Sequence, residues 1–165
     1  MADTPILIMK GIRKTFDKSL ALDDVNFELN TKEIHGLLGG NGAGKTTLMN
    51  ILFGLYKMDS GEILLNNQKI TINSPRDAIN VHIGMVHQHF LQITNFTVLE
   101  NIVLGTDIQK KFSMDLTSEI STIQDLQKRF NLDVDLNALI EELPMGIRQK
   151  VEILKALYRG VQILI

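Results

Sequence analysis

The glycine-rich stretch from Gly39 to Thr46 constrains the fold of this chain more than any other part of the sequence. It fits the pattern G-x-x-x-x-G-K-[ST], in which glycines let the backbone approach a phosphate closely. The apolar residues Ile34 to Leu38 precede it and predict a buried strand, and Thr46 to Leu52 predicts a helix. The apolar positions of that helix are Leu48, Ile51, Leu52 and Leu55. Strand, loop and helix in this order are the context that a P-loop requires.

The residue types in the loop suit the binding of nucleotide phosphates. Successive N–H groups in the loop and at the start of the helix attract an anion. Lys45 adds a cation for the β- and γ-phosphates, and the Thr46 hydroxyl is suited to ligate Mg²⁺. The predicted nucleotide contacts in this stretch are Gly39, Asn41, Gly42, Ala43, Gly44, Lys45, Thr46 and Thr47.

Composition limits the class of protein. The chain has 165 residues, of which 44% are hydrophobic and 22% are charged, as in a globular domain with a core. The formal net charge of −2 offers no basic field for nucleic acid, so no nucleic-acid partner is expected. The N-terminus lacks the features of a secretion signal, and no apolar run approaches the length of a membrane span. These features favour a cytosolic protein.

Apolar and alternating runs predict five further strands. They lie at Ile6–Ile12, Asp24–Leu29, Glu62–Leu65, Val81–Val86 and Val161–Ile165. Asn66 and Asn67 predict a tight hairpin turn after the third of these runs. Ser74 followed by Pro75 predicts the start of a short helix, because proline is favoured at the first helical position.

Helical spacing dominates the second half of the chain. Thr97 to Glu100 forms a capping box ahead of a helical turn that ends near Gly105. Longer helices are predicted at Ser113–Phe130 and Ile147–Arg159, and the basic residues of the last helix are expected to line its solvated face. Strands followed by helices and a final strand favour an α/β sheet beside a helical block.

Several segments outside the P-loop resemble the ATP-binding cassette (ABC) family, and the resemblance covers essentially all 165 residues. Leu20 to Phe27 matches the lead-in of these cassettes, Gly84 to Gln88 looks like their Q-loop, and Leu143 to Lys150 looks like a diverged signature motif. The finer resemblance is to the ATPase subunits of simple-sugar and nucleoside importers, which usually carry two fused cassettes. The segments that carry it are Asn50–Tyr56, Ser60–Ile63, Met85–Phe90 and Val151–Gly160.

The resemblance assigns roles to three residues beyond the P-loop. Phe16 falls where the family places an aromatic that stacks on adenine. Gln88 takes the place of the glutamine that reaches Mg²⁺ or the attacking water, so it is both the predicted catalytic residue and a predicted metal contact beside Thr46. Gly146 still permits close approach in the signature, but Pro144 has neither hydroxyl nor N–H to donate. A weakened or structural role is therefore expected for this signature.

The implied fold is α/β, a P-loop NTPase core of the ABC ATPase type with a mixed sheet and an α-helical subdomain, truncated at the C-terminus. One partial nucleotide-binding domain is expected over 1–165. Antiparallel strands and the P-loop core would occupy 1–96, the helical subdomain 97–160, and the start of the Walker B strand 161–165. The Walker B acidic pair would follow Ile165, so this chain is expected to lack hydrolysis although its parent is an ATPase.

The resemblance also implies a setting for the parent protein. It would bind ATP and Mg²⁺ and couple hydrolysis to the uptake of a simple sugar or nucleoside. Its partners would be transmembrane subunits, a solute-binding protein and a second ABC cassette, fused or dimeric. It would lie in the cytoplasm, peripheral on the inner face of the cell membrane. A missing sheet strand would leave unpaired edges, so self-association of this chain is expected.

Two other functions remain open from the sequence. The first is an ABC ATPase outside transport, such as a translation factor or a DNA-repair protein. Such proteins would be expected to carry basic surfaces or distinct inserts, which the net charge of −2 does not support. The second is a non-catalytic nucleotide-binding or assembly module.

Overall fold

The computed structural model describes residues 5–87, 92–105 and 116–165. The chain divides into two compact units, Met1–Val81 and His82–Ile165. Within the described ranges, no helix has both the length and the apolar character needed to cross a membrane. The predicted division into 1–96, 97–160 and 161–165 stays a prediction.

The first unit is built on an antiparallel sheet of four strands in the order β2-β1-β3-β4. The strands are β1 (Pro5–Phe16), β2 (Ser19–Asn30), β3 (Ser60–Leu65) and β4 (Gln68–Ile70). Leu7, Met9 and Ile63 are fully buried where β1 pairs with β3, so alternate residues of these strands face the core. The predicted hairpin at Asn66 and Asn67 is confirmed, since both residues have the positive φ values of a type I′ turn, 50° and 62°.

Two helices complete the first unit, α1 (Lys45–Leu52) and α2 (Pro75–Asn80). The predicted inward positions Leu48, Ile51 and Leu52 are buried on α1, but Leu55 lies beyond the helix and is exposed. Helix α2 starts as predicted, with the Ser74 side chain accepting from the Asp77 N–H at 3.3 Å and Pro75 at the first position. Side-chain capping of this kind supplies a partner for an N–H that the helix itself cannot pair.

The predicted strand Ile34–Leu38 is wrong. These residues belong to neither described sheet, and Ile34 and Leu38 are almost fully exposed. No hydrogen bond joins the backbone of residues 34–38 to another residue in the described ranges. An apolar run becomes a strand only when a neighbouring strand completes its hydrogen-bond ladder, and no described strand lies beside this one.

The second unit is mainly helical. Its helices are α3 (Val98–Val103), α4 (Thr117–Phe130) and α5 (Met145–Tyr158), with a 3₁₀ turn at Ile140–Glu142. The core of this unit is one apolar cluster that draws on all three helices. Its fully buried members are Val98, Ile102, Ile123, Ile140, Val151 and Leu154. The predicted helices at Ser113–Phe130 and Ile147–Arg159 are confirmed with shifted ends, although residues 113–115 lie outside the described residues.

A short parallel pair of strands also belongs to the second unit. Strands β5 (Ile83–Gly84) and β6 (Ile163–Leu164) replace the longer predicted runs Val81–Val86 and Val161–Ile165. His82 holds the end of β6, because its carbonyl accepts from the N–H groups of Gln162 at 2.8 Å and Ile163 at 3.2 Å. The predicted α/β class is confirmed, with antiparallel strands in the first unit and this parallel pair in the second.

Candidate functional site

The P-loop lies in the first unit between β2 and α1. Gly42 and Gly44 both adopt left-handed backbone, with φ values of 82° and 83°. Gly44 is the N-cap of α1, and its carbonyl accepts the first helical hydrogen bond, from the Leu48 N–H at 2.9 Å. The N–H groups in the first turn of α1 therefore have no partner within the helix, as an anion site requires.

The Lys45 side chain bonds back to the start of the loop. Its Nζ donates to the carbonyl oxygens of Gly39 at 2.7 Å and Gly40 at 2.8 Å. The Ala43 N–H donates to the same Gly40 carbonyl at 3.3 Å, so the turn is held from both sides. The loop therefore gathers a lysine ammonium and the start of a helix at one point, which is an environment for phosphate.

The Thr46 and Thr47 side chains follow Lys45 in the first turn of α1. A hydroxyl beside a phosphate site is the kind of oxygen donor that Mg²⁺ accepts while keeping water and phosphate ligands. Within the described ranges, no cluster of three or more His, Cys, Asp or Glu residues could hold a metal by itself.

Phe16 ends β1 and is partly exposed. Its ring packs edge-to-face on Tyr56, with centroids 5.1 Å apart, and the Lys14 Nζ lies 5.4 Å from its centre. Lys14 is in turn paired with the Asp59 carboxylate at 2.9 Å. Phe16 and the P-loop thus belong to the same unit, and the exposed part of the ring is open to a flat ligand such as a base.

The signature segment lies in the second unit, at the start of α5. Pro144 is the N-cap of this helix, and its carbonyl accepts from the N–H groups of Ile147 at 2.9 Å and Arg148 at 3.1 Å. A Cβ at Gly146 would meet nothing within 4 Å, so the backbone there is open to a close approach. Gln88, the predicted catalytic residue, lies outside the described residues.

The basic residues of α5 differ from the prediction of a solvated face. Arg148, Lys155 and Arg159 are partly buried, and Arg159 donates to the Leu104 carbonyl at 2.8 Å. Burial lowers the pKa of both Lys155 and Arg159, because a charge is less well solvated there. Long side chains packed along a helix cover apolar surface with their stems, which helical periodicity alone does not reveal.

Two polar contacts in the second unit were not predicted. Asn101 is completely buried, and its side chain pairs with both the N–H and the carbonyl of Ile93, at 2.9 and 3.0 Å. Tyr158 on α5 donates to Glu119 on α4, and burial together with this bond raises the pKa of the tyrosine. One signal in the sequence pointed to the Asn101 contact, namely a polar residue within an apolar helical turn. A buried polar side chain there needs hydrogen-bond partners.

Comparison with known families shows what class of protein carries this loop. The ABC transporter family matches residues 22–165 of the sequence, and the chain therefore belongs to that family. Solved structures of ABC transporter cassettes share its fold. One is the ADP conformation of MJ1267, an ATP-binding cassette of an ABC transporter, which matches with a TM-score of 0.83 at 26% identity. That match covers 98% of this chain and 67% of the other. A nucleotide-free cassette from an ABC transporter gives 0.81 at 26% identity, over 98% and 68% of the two chains.

The chain is also similar to several import ATP-binding proteins. It is 47% identical to the nucleoside import ATP-binding protein NupA of Lactococcus lactis, over 100% of this chain and 33% of the relative. It is 46% identical to the guanosine import ATP-binding protein NupO of Bacillus subtilis, over 97% and 31%. The glucose import ATP-binding protein TsgD13 of Haloferax volcanii is 42% identical, over 100% and 35%. The chain thus spans about a third of the length of these relatives.

Proposed function

We propose that this chain is the nucleotide-binding part of an ABC importer ATPase that serves the uptake of a nucleoside or a simple sugar. The observation that carries the proposal is a formed P-loop in a chain that resembles import ATP-binding proteins along its whole length. The nucleotide would be ATP, held at residues 39–47 with its base on Phe16. The whole protein would couple ATP hydrolysis to transport.

The roles of the loop residues follow from their positions. Lys45 would exchange its two carbonyl partners for phosphate oxygens, since a lysine ammonium binds phosphate as a mobile point charge. The first-turn N–H groups of α1 would hold the phosphates by charge and direction. Thr46 would ligate Mg²⁺ through its hydroxyl, and Gln88 would contact the same ion or the attacking water. Mg²⁺, when bound, supplies charge neutralisation at the phosphates.

The proposed partners follow from the import relatives. Transmembrane subunits would form the path for the solute, a solute-binding protein would deliver it, and a second ABC cassette would face this one. The chain would then work in the cytoplasm, on the inner face of the membrane. In that arrangement the signature around Gly146 would contact the nucleotide of the second cassette, weakly because Pro144 has no donor to offer.

A nucleotide titration tests the proposal. We expect Mg²⁺-ATP to bind the 165-residue chain and Lys45→Ala to weaken that binding by roughly tenfold or more, because a charge-assisted contact is worth about 1.5–3 kcal/mol. Isothermal calorimetry measures both dissociation constants. Lys57→Ala is the matched control, since Lys57 is exposed and follows α1. Equal affinity of the original chain and Lys45→Ala would rule out the P-loop as the binding site.

A further inference from the structure

Arg148 holds the backbone that leads into the signature helix. Its Nε donates to the Leu143 carbonyl at 2.9 Å, and its Nη2 donates to the Glu141 carbonyl at 3.0 Å. Arginine can make both contacts at once because its donors form a rigid planar fork. The backbone that enters α5 is therefore fixed from inside the helix, only two residues beyond Gly146.

Gln92 holds Arg148 in turn. Its Nε2 donates to the Arg148 carbonyl at 2.8 Å, and only the nitrogen end of the amide can donate to a carbonyl. The oxygen of the same amide lowers the stability of the fold, since Gln92 Oε1 is buried and has no hydrogen-bond partner among the described residues. An apolar side chain would avoid that cost, so what the amide contributes is the bond to Arg148.

The segment that carries Gln92 also pairs with the residues ahead of the signature. The Glu141 N–H donates to the Thr94 carbonyl at 3.0 Å, and the Ile140 N–H donates to the Phe96 carbonyl at 3.0 Å. Buried Asn101 fixes the same segment to α3 through Ile93. Residues 92–96 and 140–148 thus form one hydrogen-bonded block, with Gln92 and Arg148 at its signature end.

We propose that Arg148 is a positioning residue for the signature backbone 143–146, and that Gln92 anchors it to the segment that directly follows the predicted Q-loop. The proposal rests on the proposed function only in taking 143–146 as a nucleotide contact. Arg148 touches no nucleotide in this role. It would set the direction of the backbone at Gly146, which is open to close approach, whereas Pro144 has no N–H to donate.

Amide hydrogen exchange on the 165-residue chain tests the proposal. We expect Gln92→Leu and Arg148→Met each to speed exchange about tenfold, the effect of losing one or two net hydrogen bonds. The affected amides are those of Ile140, Glu141, Leu143 and Ile147. Exchange in α4 should stay within about twofold of the original chain, because the apolar cluster is untouched. The double variant should exceed either single variant, since Gln92 bonds the Arg148 backbone carbonyl, which Arg148→Met leaves in place.

Three control variants distinguish a local effect on the signature backbone from destabilisation of the whole second unit. Gln149→Leu and Arg129→Met repeat the two substitutions at exposed sites of α5 and α4, and neither should change exchange at residues 140–147. Arg148→Lys keeps the charge but not the fork, so it should restore protection only in part. Unchanged exchange at 140–147, or equal acceleration in α4, would each overturn the proposal. Because these measurements need no nucleotide, their failure is distinguishable from failure of the titration with Lys45→Ala.

Discussion

Gly44 is the P-loop residue whose surroundings most clearly exclude a side chain. A Cβ there would lie 2.6 Å from Leu22 Cδ2 and 2.8 Å from the Ala21 carbonyl oxygen, at a φ of 83°. We expect Gly44→Ala to lower the free energy of unfolding by about 2–5 kcal/mol, because left-handed backbone costs about 1–2 kcal/mol and overpacking about 1–3 kcal/mol. Urea unfolding followed by circular dichroism measures the loss.

A variant of Gly42 distinguishes the cost of left-handed backbone from the cost of overpacking. It has nearly the same left-handed backbone, with a φ of 82°, but a Cβ there would meet nothing within 4 Å. Gly42→Ala should therefore lose only the backbone part, about 1–2 kcal/mol. If the two variants lose equal stability, the contact between the loop and β2 does not limit the residue at position 44.

Asp59 makes the first unit sensitive to acid. Its carboxylate accepts from Lys14 Nζ at 2.9 Å and from the Thr15 N–H at 2.7 Å. These contacts lower the pKa of Asp59 below the ordinary value of 3.8, and the hydrogen bond from Lys14 has the larger effect, followed by that from the Thr15 N–H. A lowered folded-state pKa gives stability that is present above pH 3.8 and is lost as the pH falls through the folded-state pKa.

The Asp59→Asn variant should reveal that dependence. At pH 6 we expect it to unfold at a lower urea concentration than the original chain, and the difference should shrink as the pH falls below 3.8, because protonation removes the same charge. Urea midpoints at a series of pH values measure it. Asp17→Asn is the control, since the Asp17 carboxylate has no hydrogen-bond partner among the described residues. A difference that stays constant with pH would contradict the assignment.

At the residue scale, the P-loop pattern agrees with the backbone, since Gly42 and Gly44 adopt the left-handed conformation for which glycine is suited. The contacts of these residues with a nucleotide stay a prediction. The sequence alone did not predict Arg148 or Asn101 as structural residues. Their partners are backbone carbonyl and N–H groups, which every residue possesses, so the sequence does not mark which positions they bond.

At the scale of elements, α3 depends on its N-terminal cap. The Thr97 hydroxyl accepts from the Glu100 N–H at 3.2 Å, and the Glu100 carboxylate accepts from the Thr97 N–H at 2.7 Å. Thr97→Ala should lower the free energy of unfolding by about 1 kcal/mol, since the cap serves a helix of only six residues. Thr97→Ser keeps the hydroxyl and should lose little by comparison. Chemical unfolding measures the free energy of unfolding of both variants. Equal losses of stability in Thr97→Ala and Thr97→Ser would exclude the hydroxyl cap as the cause.

Elements defined by local contacts were predicted together with their partners, whereas strands that pair with distant partners were predicted with the wrong lengths or, at Ile34–Leu38, wrongly. The capping box and the Asn66-Asn67 hairpin involve residues within a few positions of each other, so the sequence states both partners. Strand length depends on a neighbour elsewhere in the chain. This is why β5 and β6 pair over only two residues each, and why Ile34–Leu38 forms no strand.

At the scale of the whole molecule, the apolar residues ahead of the P-loop present an unpaired backbone. Ile34 and Leu38 are almost fully exposed, and the backbone of residues 34–38 makes no hydrogen bond within the described ranges. Unpaired backbone that carries exposed apolar side chains is a template for pairing with another chain. A second copy of this chain offers the same segment, so two copies could pair their 34–38 segments with each other.

We therefore expect the 165-residue chain to associate as its concentration rises, and substitutions that charge this segment to prevent it. The Ile34→Lys/Leu38→Lys double variant should remain monomeric, because like charges opposed across a strand pair repel and edge lysines block pairing. Leu20→Lys is the matched control: Leu20 is also an exposed leucine, but its backbone is paired with Thr15 in the sheet. Light scattering over a concentration series measures the mass of each species. A monomer for the original chain at all concentrations would contradict pairing, and equal loss of association in Leu20→Lys would assign it to general surface hydrophobicity.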